Sequence, residues 1–137
     1  MPDYTAKHIN DMESTFGGGF VKARAELGVT SFGMQVIQMP ADFKDYPAHD
    51  HAETGQEEVF LALQGSGWIE IDDERVELEP DVLVRVGPEA KRKVIAGPNG
   101  IRMLALGGTP GTAYEINPMT DLGGAIPPIS AIEGTSN

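Results

Sequence analysis

Two histidines and one glutamate are the residues of this sequence whose types and spacing can do chemistry. His49 and His51 are separated by one residue, and residues two apart on an extended chain point the same way, so both imidazoles reach into one space. Glu58 follows at the head of an apolar stretch, where a carboxylate needs a partner or a metal to be buried. Two imidazoles and a carboxylate form the facial ligand set of non-haem Fe(II) sites and also suit Mn, Ni or Zn. The spacing therefore predicts a divalent-metal site at His49, His51 and Glu58.

The elements that position these residues are predicted to be short strands. With 17 Gly and 10 Pro, the chain has too many helix-breaking residues for long helices. A hairpin is expected over 68–78, turn signals stand at 64–67, 87–88 and 97–100, and segment 21–27 fits a helix as well as a strand. The other predicted strands cover residues 32–39, 58–63, 82–86, 93–96 and 101–106. Such closely spaced strands and turns predict an all-β sandwich or barrel.

The length, charge and composition of the chain argue against several classes of function. A chain of 137 residues is in the range of one domain. Its net charge of -11 disfavours binding to nucleic acid or to anionic membranes. The absence of cysteine excludes disulfides, thiolate nucleophiles and cysteine-bound zinc. No apolar run approaches the length of a membrane span, no phosphate-binding loop, serine-hydrolase elbow or dinucleotide motif is present, and cytoplasmic location is the default expectation.

The stretch HDHAETGQEEVFLALQGSG, residues 49–67, resembles the first signature of the cupin superfamily, G-x5-H-x-H-x3-4-E-x6-G. His49, His51, Glu58 and Gly65 take the two His, the Glu and the second Gly positions. Phe43 stands where the first Gly is expected, and six residues separate His51 from Glu58, which implies a longer turn between the ligand-bearing strands. Phrases such as LGVTSFG, GQEEVF and LALGGTPG also resemble small bacterial cupins of the cupin 2 type.

The resemblance implies a cupin double-stranded β-helix, that is, a jelly-roll barrel over residues 32–108. Residues 1–31 are expected to form an N-terminal arm with a short helix or strand, and residues 109–137 a C-terminal tail or dimer arm. Cupins are frequently homodimers, and their functions range from dioxygenases and isomerases to sugar-binding modules. Fold alone therefore leaves the function open.

The second cupin signature, G-x5-P-x-G-x2-H-x3-N, maps onto residues 81–96, where almost none of its letters survive. Arg92 stands at the position of the fourth metal ligand, and a guanidinium cannot ligate. This arginine has two alternative roles. It can pair with Glu58 and replace the metal by a buried salt bridge, or it can lie beside a three-ligand metal and hold an anionic substrate.

Phe60, Met103 and Gln38 are further candidates for contact with a substrate, although apolar residues on barrel strands mostly serve packing. Phe60 shares a strand face with Glu58 and should lie near any bound metal. The first hypothesis is a metal-dependent cupin, a dioxygenase or isomerase, that binds a small anionic molecule at Arg92. The alternatives are a non-catalytic cupin that binds a small ligand or sugar with Arg92 filling the gap, and a scaffold for homodimerisation through the apolar outer face formed by Val59, Leu61 and Leu63.

Overall fold

A computed structural model describes residues 2–124 of the chain. Strands make up most of the regular structure of these residues, and their single α-helix has five residues. The prediction of an all-β fold is confirmed. The strands are β1 (Ser14–Thr15), β2 (Phe20–Val21), β3 (Gly33–Met39), β4 (Glu57–Ile71), β5 (Glu74–Leu78), β6 (Val84–Val86) and β7 (Arg92–Gly108), helix α1 covers Ala23–Leu27, and 3-10 turns lie at Ile9–Asp11, Phe16–Gly18 and Pro118–Thr120.

The strands form one antiparallel sheet in the order β1-β2-β3-β7-β4-β5, and β6 also pairs with β4. The two longest strands hold the sheet together, because β4 pairs with both halves of β7. Phe60 lies opposite Ala105 in one half, and Ile69 lies opposite Val94 in the other. Since both strands bend between these halves, the sheet closes on itself as a barrel of the jelly-roll type.

The bends in β4 and β7 lie at the segments 64–67 and 97–100, where the sequence predicted turns. Instead of ending the strands, these segments continue the ladder with register shifts between Ala62 and Gln64 and between Gly65 and Gly67. Gly65 and Gly100 have φ values of 71° and 75°, which glycine adopts without a steric cost. A side chain on Gly65 would overlap the carbonyl of Gly100. The glycines therefore mark the shared bend of two paired strands, where the backbones approach closely.

The barrel interior is filled by apolar side chains from alternate positions of the strands. Ile37, Phe60 and Met103 belong to this cluster. A second, smaller cluster lies on the opposite face of β3, where Val36 packs against Val21 of β2 and Ala23 of α1. Residues 9–27 thus cover the outside of β3, and the segment that fitted either a helix or a strand contains the end of β2 and the whole of α1.

A polar group with two buried cations, here called the clasp, joins this N-terminal cover to residues 121–123. The clasp consists of Glu13, Lys22, Arg24 and Asp121. The Lys22 Nζ donates to Glu13 Oε2 and to the Asp121 carbonyl, both at 2.8 Å, and Arg24 pairs with the Asp121 carboxylate. Lys22 is fully buried, so these acceptors compensate for the loss of water around its ammonium group.

The outer face of β4 carries Val59, Leu61 and Leu63, of which Leu63 is exposed and the other two are half-buried. The homodimer expected at this face stays a prediction. Of the predicted C-terminal tail, residues 109–124 are described, and residues 125–137 lie outside the described residues. Among residues 2–124, no helix has the length and hydropathy needed to cross a membrane.

Candidate metal centre

Backbone pairing brings the predicted ligands to one end of the barrel. His49 and Arg92 form an isolated antiparallel bridge, and the His51 amide donates to the Pro88 carbonyl at 2.8 Å. Glu58 lies near the start of β4, opposite Val86 of β6 and Gly107 of β7. The histidines therefore lie on an extended segment that is hydrogen-bonded to the chain around β6 and β7, while the carboxylate comes from the adjacent central strand.

Three basic side chains converge on one oxygen, Oε1 of Glu58. The distance from this oxygen is 3.1 Å to His51 Nε2, 3.6 Å to His49 Nε2 and 3.6 Å to Arg92 Nη1. All four residues are buried, with exposed fractions between 1% and 7%. A buried carboxylate surrounded by three nitrogen groups satisfies the requirement that charge in a protein interior be compensated.

The cluster has the donor set and the spacing of a metal site. One nitrogen from each histidine and one oxygen from Glu58 all lie within 4.8 Å of one another. The two imidazole rings are at 80° to each other with centroids 5.0 Å apart, so the two rings meet at the cluster in different orientations. Imidazole and carboxylate ligands suit Fe, Mn, Ni and Zn. The residues present therefore fit a divalent ion.

The orientation of His49 is fixed by contacts behind the ring. Its Nδ1 lies 3.3 Å from the Pro47 carbonyl oxygen. Because a carbonyl can only accept, this contact requires the proton to be on Nδ1, and it turns Nε2 towards Glu58. Ligand histidines in metal sites commonly donate their second ring nitrogen in this way. The Tyr46 ring packs edge-on against His49, with centroids 6.5 Å apart.

The charge state of Glu58 reflects a balance of burial and pairing. Burial raises the pKa of this carboxyl, but its contacts with the His49 and His51 rings outweigh burial and hold its pKa below the ordinary value. Glu58 is thus a carboxylate at neutral pH, which is the form that ligates a metal. Burial raises the pKa of the nearby Tyr46 hydroxyl, and the negative charge of Glu58 adds to that effect, so Tyr46 stays protonated.

Arg92 occupies the remaining side of the cluster. Its Nη2 donates to the Gly87 carbonyl at 2.6 Å, while its Nη1 is 3.6 Å from Glu58, too long for a hydrogen bond. Among residues 2–124, Nε and Nη1 of Arg92 are buried without a hydrogen-bond acceptor. Burial lowers the pKa of this guanidinium, and the charge of Glu58 opposes the change. Arg92 is therefore a buried cation with two nitrogens, Nε and Nη1, still able to donate.

Comparison with solved structures decides the family. A cupin protein from Bacteroides fragilis matches with a TM-score of 0.66 and 25% identity, covering 88% of this chain and 96% of that one. The cupin domain of Cnp3 from Schizosaccharomyces pombe matches with a TM-score of 0.51 and 20% identity over 58% of this chain and 53% of that one. This chain is a cupin. A structure of DMSP lyases also matches this cupin, with a TM-score of 0.52 and 19% identity over 62% of the chain and 42% of the lyase chain, a likeness that shows the fold alone. No protein-family model and no curated protein sequence matches the present chain.

The other predicted contact residues of this cupin lie at different places. Phe60 and Met103 are buried in the barrel interior with exposed fractions of 4% and 1%. Gln38 shares its strand face with Val36 of the outer cluster, and its amide is held by Arg102, which donates to it at 2.7 Å, and by the Gly18 carbonyl. The structure thus brings Arg92 to the three candidate ligands, whereas the Gln38 amide is bonded to Arg102 and Gly18. Contact of these residues with a ligand stays a prediction.

Two polar residues near the barrel interior were not among the predicted residues. Gln35 lies two residues before Ile37 on β3 and is fully buried. Because residues two apart in a strand share a face, Gln35 lies on the inner face with Ile37. Tyr46 packs on His49. An aromatic residue three positions before the first ligand histidine was the available signal for Tyr46, but sequence spacing alone could not show the contact.

Proposed function

We propose that this cupin binds a divalent metal through His49, His51 and Glu58 and holds a small organic anion beside Arg92. One observation carries the proposal: three ligand atoms lie within 4.8 Å of one another in a buried cluster, and a buried arginine with two nitrogens able to donate adjoins them. Divalent metals are held by such imidazole and carboxylate sets. A guanidinium beside the set offers a planar fork that matches a carboxylate.

The balance of charge supports an anionic ligand. Without a metal, the negative charge of Glu58 and the positive charge of Arg92 cancel across the distance of 3.6 Å between Oε1 and Nη1. A divalent cation bound to the same Glu58 adds two positive charges. Glu58 is the one carboxylate of the described cluster, and Asp50 and Asp72 act on Arg92 from outside it. Because excess charge is costly in a buried site, the loaded centre favours an anion.

The reactions proposed for this centre are dioxygenation or isomerisation of the bound anion. The metal, when bound, supplies a Lewis acid with coordination positions open to substrate or dioxygen. The chain itself supplies the remaining functions. Arg92 orients the anionic group, and the Pro47 carbonyl keeps the His49 ring in place. Phe60 and the apolar interior around it exclude water, which strengthens the electrostatic contacts of the bound anion.

A second candidate is a non-catalytic cupin that binds a small carboxylate or sugar without a metal. The convergence of Arg92 and both histidines on Glu58 favours it, because these contacts compensate the buried carboxylate without an ion. The two candidates differ in the effect of a chelator on ligand binding.

Metal analysis of purified protein tests the first candidate. Wild type, His49→Ala and His8→Ala are freed of metal with a chelator, incubated separately with Fe, Mn, Ni or Zn salts, desalted and measured by elemental analysis. His8 is exposed and lies outside the cluster, so it controls for nonspecific binding by a histidine. We expect stoichiometric metal in wild type and His8→Ala and loss of metal in His49→Ala. Equal metal content in all three proteins would show that His49 does not bind the metal and would refute the proposed site.

Ligand binding is measured on the same samples. Small carboxylates that occupy the centre should raise the melting temperature of the metal-loaded protein more than that of the chelated protein. If carboxylates or sugars raise the melting temperature equally with and without chelator, the non-catalytic candidate replaces the first.

A further inference from the structure

A cavity of about 180 Å³ lies between the N-terminal cover and the segment that leads to the metal centre. The Phe16–Gly18 turn and the following Gly19 border it on one side, and residues 40–47 border it on the other. Phe20 and Ile37, which belong to the barrel core, also line it. The cavity therefore extends from the protein surface to the apolar interior.

The lining of this cavity is mainly apolar and rich in rings. Phe16, Phe20, Phe43 and Tyr46 contribute aromatic surface, and Asp45 contributes an exposed carboxylate. Gln38 also lines the cavity, but its amide is already bonded to Gly18 and Arg102. Cavities lined in this way take apolar molecules, and one of about 150 Å³ in another protein holds benzene. The volume and the lining therefore fit a single ring.

Tyr46 connects this cavity to the metal centre. Its side chain lines the cavity, and its ring lies edge-on to His49 with a centroid distance of 6.5 Å. Tyr46 is thus the wall shared by the cavity and the first ligand histidine. A molecule in the cavity lies one aromatic ring away from the centre.

Phe16 at the border of the cavity has a backbone conformation that its side chain disfavours. Its φ is 54°, in the left-handed region that glycine adopts readily and a bulky residue rarely does. The next three residues are glycines, yet a 42% exposed phenylalanine occupies this position. Exposure at this level gives the ring a limited role in stabilising the fold. Backbone strain of this kind concentrates at sites where ligands bind.

We infer that this cavity binds the apolar ring of a small organic ligand, with the Phe16 side chain closing over it. The inference goes beyond the proposed function, because the Tyr46 ring stands between the cavity and the metal centre. It names the ligand class as a single-ring compound.

Methionine methyl signals provide the test, because Met39 lines the cavity and Met34 packs in the outer cluster. The full chain is labelled with ¹³C at its methionine methyl groups, and Met39→Leu assigns the Met39 signal. Benzyl alcohol serves as the ring probe and glycerol as a polar control. Titrations are run with metal and with chelator. We expect benzyl alcohol to shift the Met39 signal saturably and the Met34 signal little, and glycerol to shift neither.

Two phenylalanine variants separate ligand binding from folding. Phe16→Ala removes the ring at the border, and Phe32→Ala removes a ring of similar exposure, 40% against 42%, that does not line this cavity. Loss of one aromatic contact should weaken benzyl alcohol binding about tenfold in Phe16→Ala and leave it unchanged in Phe32→Ala. Phe16→Gly should lose the same affinity without a fall in melting temperature, because glycine relieves the strained φ.

The results distinguish this inference from the proposed function. If wild type takes up metal but benzyl alcohol leaves the Met39 signal unmoved, or if Phe16→Ala binds it as wild type does, the cavity assignment is wrong and the metal site stands. If benzyl alcohol binds in chelated protein while no metal is taken up, the proposed function fails and the cavity assignment stands.

Discussion

His49 and Arg92 lie directly opposite each other, joined by two backbone hydrogen bonds of 2.9 Å and 2.8 Å. Side chains of directly opposed antiparallel residues project to the same face, so this pairing brings the arginine and the first ligand histidine to the same carboxylate. Arg92 stands where the cupin signature has its fourth ligand, and its Nη1 approaches Glu58 to within 3.6 Å. The substitution therefore replaces a metal ligand by a fixed positive charge.

Restoring an imidazole at this position should strengthen metal binding. Arg92→His supplies a fourth ligand and removes a charge that repels the metal, whereas Arg92→Met removes only the charge. We expect the His variant to bind Mn or Ni about tenfold more tightly than the Met variant, a difference worth about 1.4 kcal/mol. Isothermal titration of chelated proteins measures both constants. Equal affinities would mean that position 92 does not face the metal.

Neutralising Glu58 should destabilise the metal-free protein strongly. Glu58→Gln leaves the Arg92 charge buried without its counter-charge, and breaking a buried ion pair from one side costs about 3–5 kcal/mol of unfolding free energy. Its neighbour Glu57 pairs with Arg85 at 2.7 Å on the exposed side of the strand, where such pairs contribute about 1 kcal/mol or less. Urea unfolding in chelator should therefore show a large loss for Glu58→Gln and a small loss for Glu57→Gln. Similar losses in both variants would contradict this account of the cluster.

The sequence correctly grouped His49, His51 and Glu58 in one buried cluster, because the period of two in extended chain and the cost of burying Glu58 are local properties. Metal binding by this cluster stays a prediction. The course of β4 and β7 could not be predicted in the same way. Gly65 and Gly100 stand in segments typical of turns, yet each segment continues a strand. The contact between them depends on two segments distant in sequence. The position of Arg92 next to Glu58 was one of two predicted alternatives, and the structure shows a geometry compatible with both.

Stability should fall in acid because several carboxyls have lowered pKa values in the fold. The hydrogen bond from Lys22 and that from the Gly123 amide hold the pKa of Glu13 below the ordinary value of 4.5; the bond from Lys7 does the same for Glu26. A carboxyl whose folded pKa lies below its unfolded value stabilises the fold above the unfolded pKa, and this contribution is lost as pH falls through the folded pKa.

The melting temperature should therefore hold above pH 4.5 and decline below it. Glu13→Gln should lower the melting temperature at pH 7 and flatten part of this decline, since Glu26 and Glu58 retain their own lowered pKa values. The exposed Glu89 is the control residue, because it makes no ion pair among the described residues. Scanning calorimetry from pH 7 to pH 3 measures the melting temperature of wild type, Glu13→Gln and Glu89→Gln. If Glu13→Gln follows the same dependence on pH as wild type and Glu89→Gln, the clasp does not have this role.

Gly65, at the bend shared by β4 and β7, should not tolerate a side chain. Gly65 and Gly28 have similar left-handed φ values of 71° and 80°, so alanine costs about 1–2 kcal/mol of backbone strain at either position. At Gly28 nothing lies within 4 Å of an added methyl group, whereas at Gly65 the methyl group meets the Gly100 carbonyl. Gly65→Ala should therefore unfold at clearly lower urea concentration than Gly28→Ala. Equal urea midpoints for the two variants would show that the backbones of β4 and β7 can move apart at this bend.

The outermost strands of the sheet bear on how this protein behaves in concentrated solution. At one end, β1 has only two residues, Ser14 and Thr15; at the other, β5 carries charged side chains at Glu74, Arg75 and Glu77. Unpaired strand borders recruit strands from other molecules when they are long and apolar, and short or charged borders prevent this. Neither end offers the long apolar border on which fibrils grow, and lengthening β1 with apolar residues should create one.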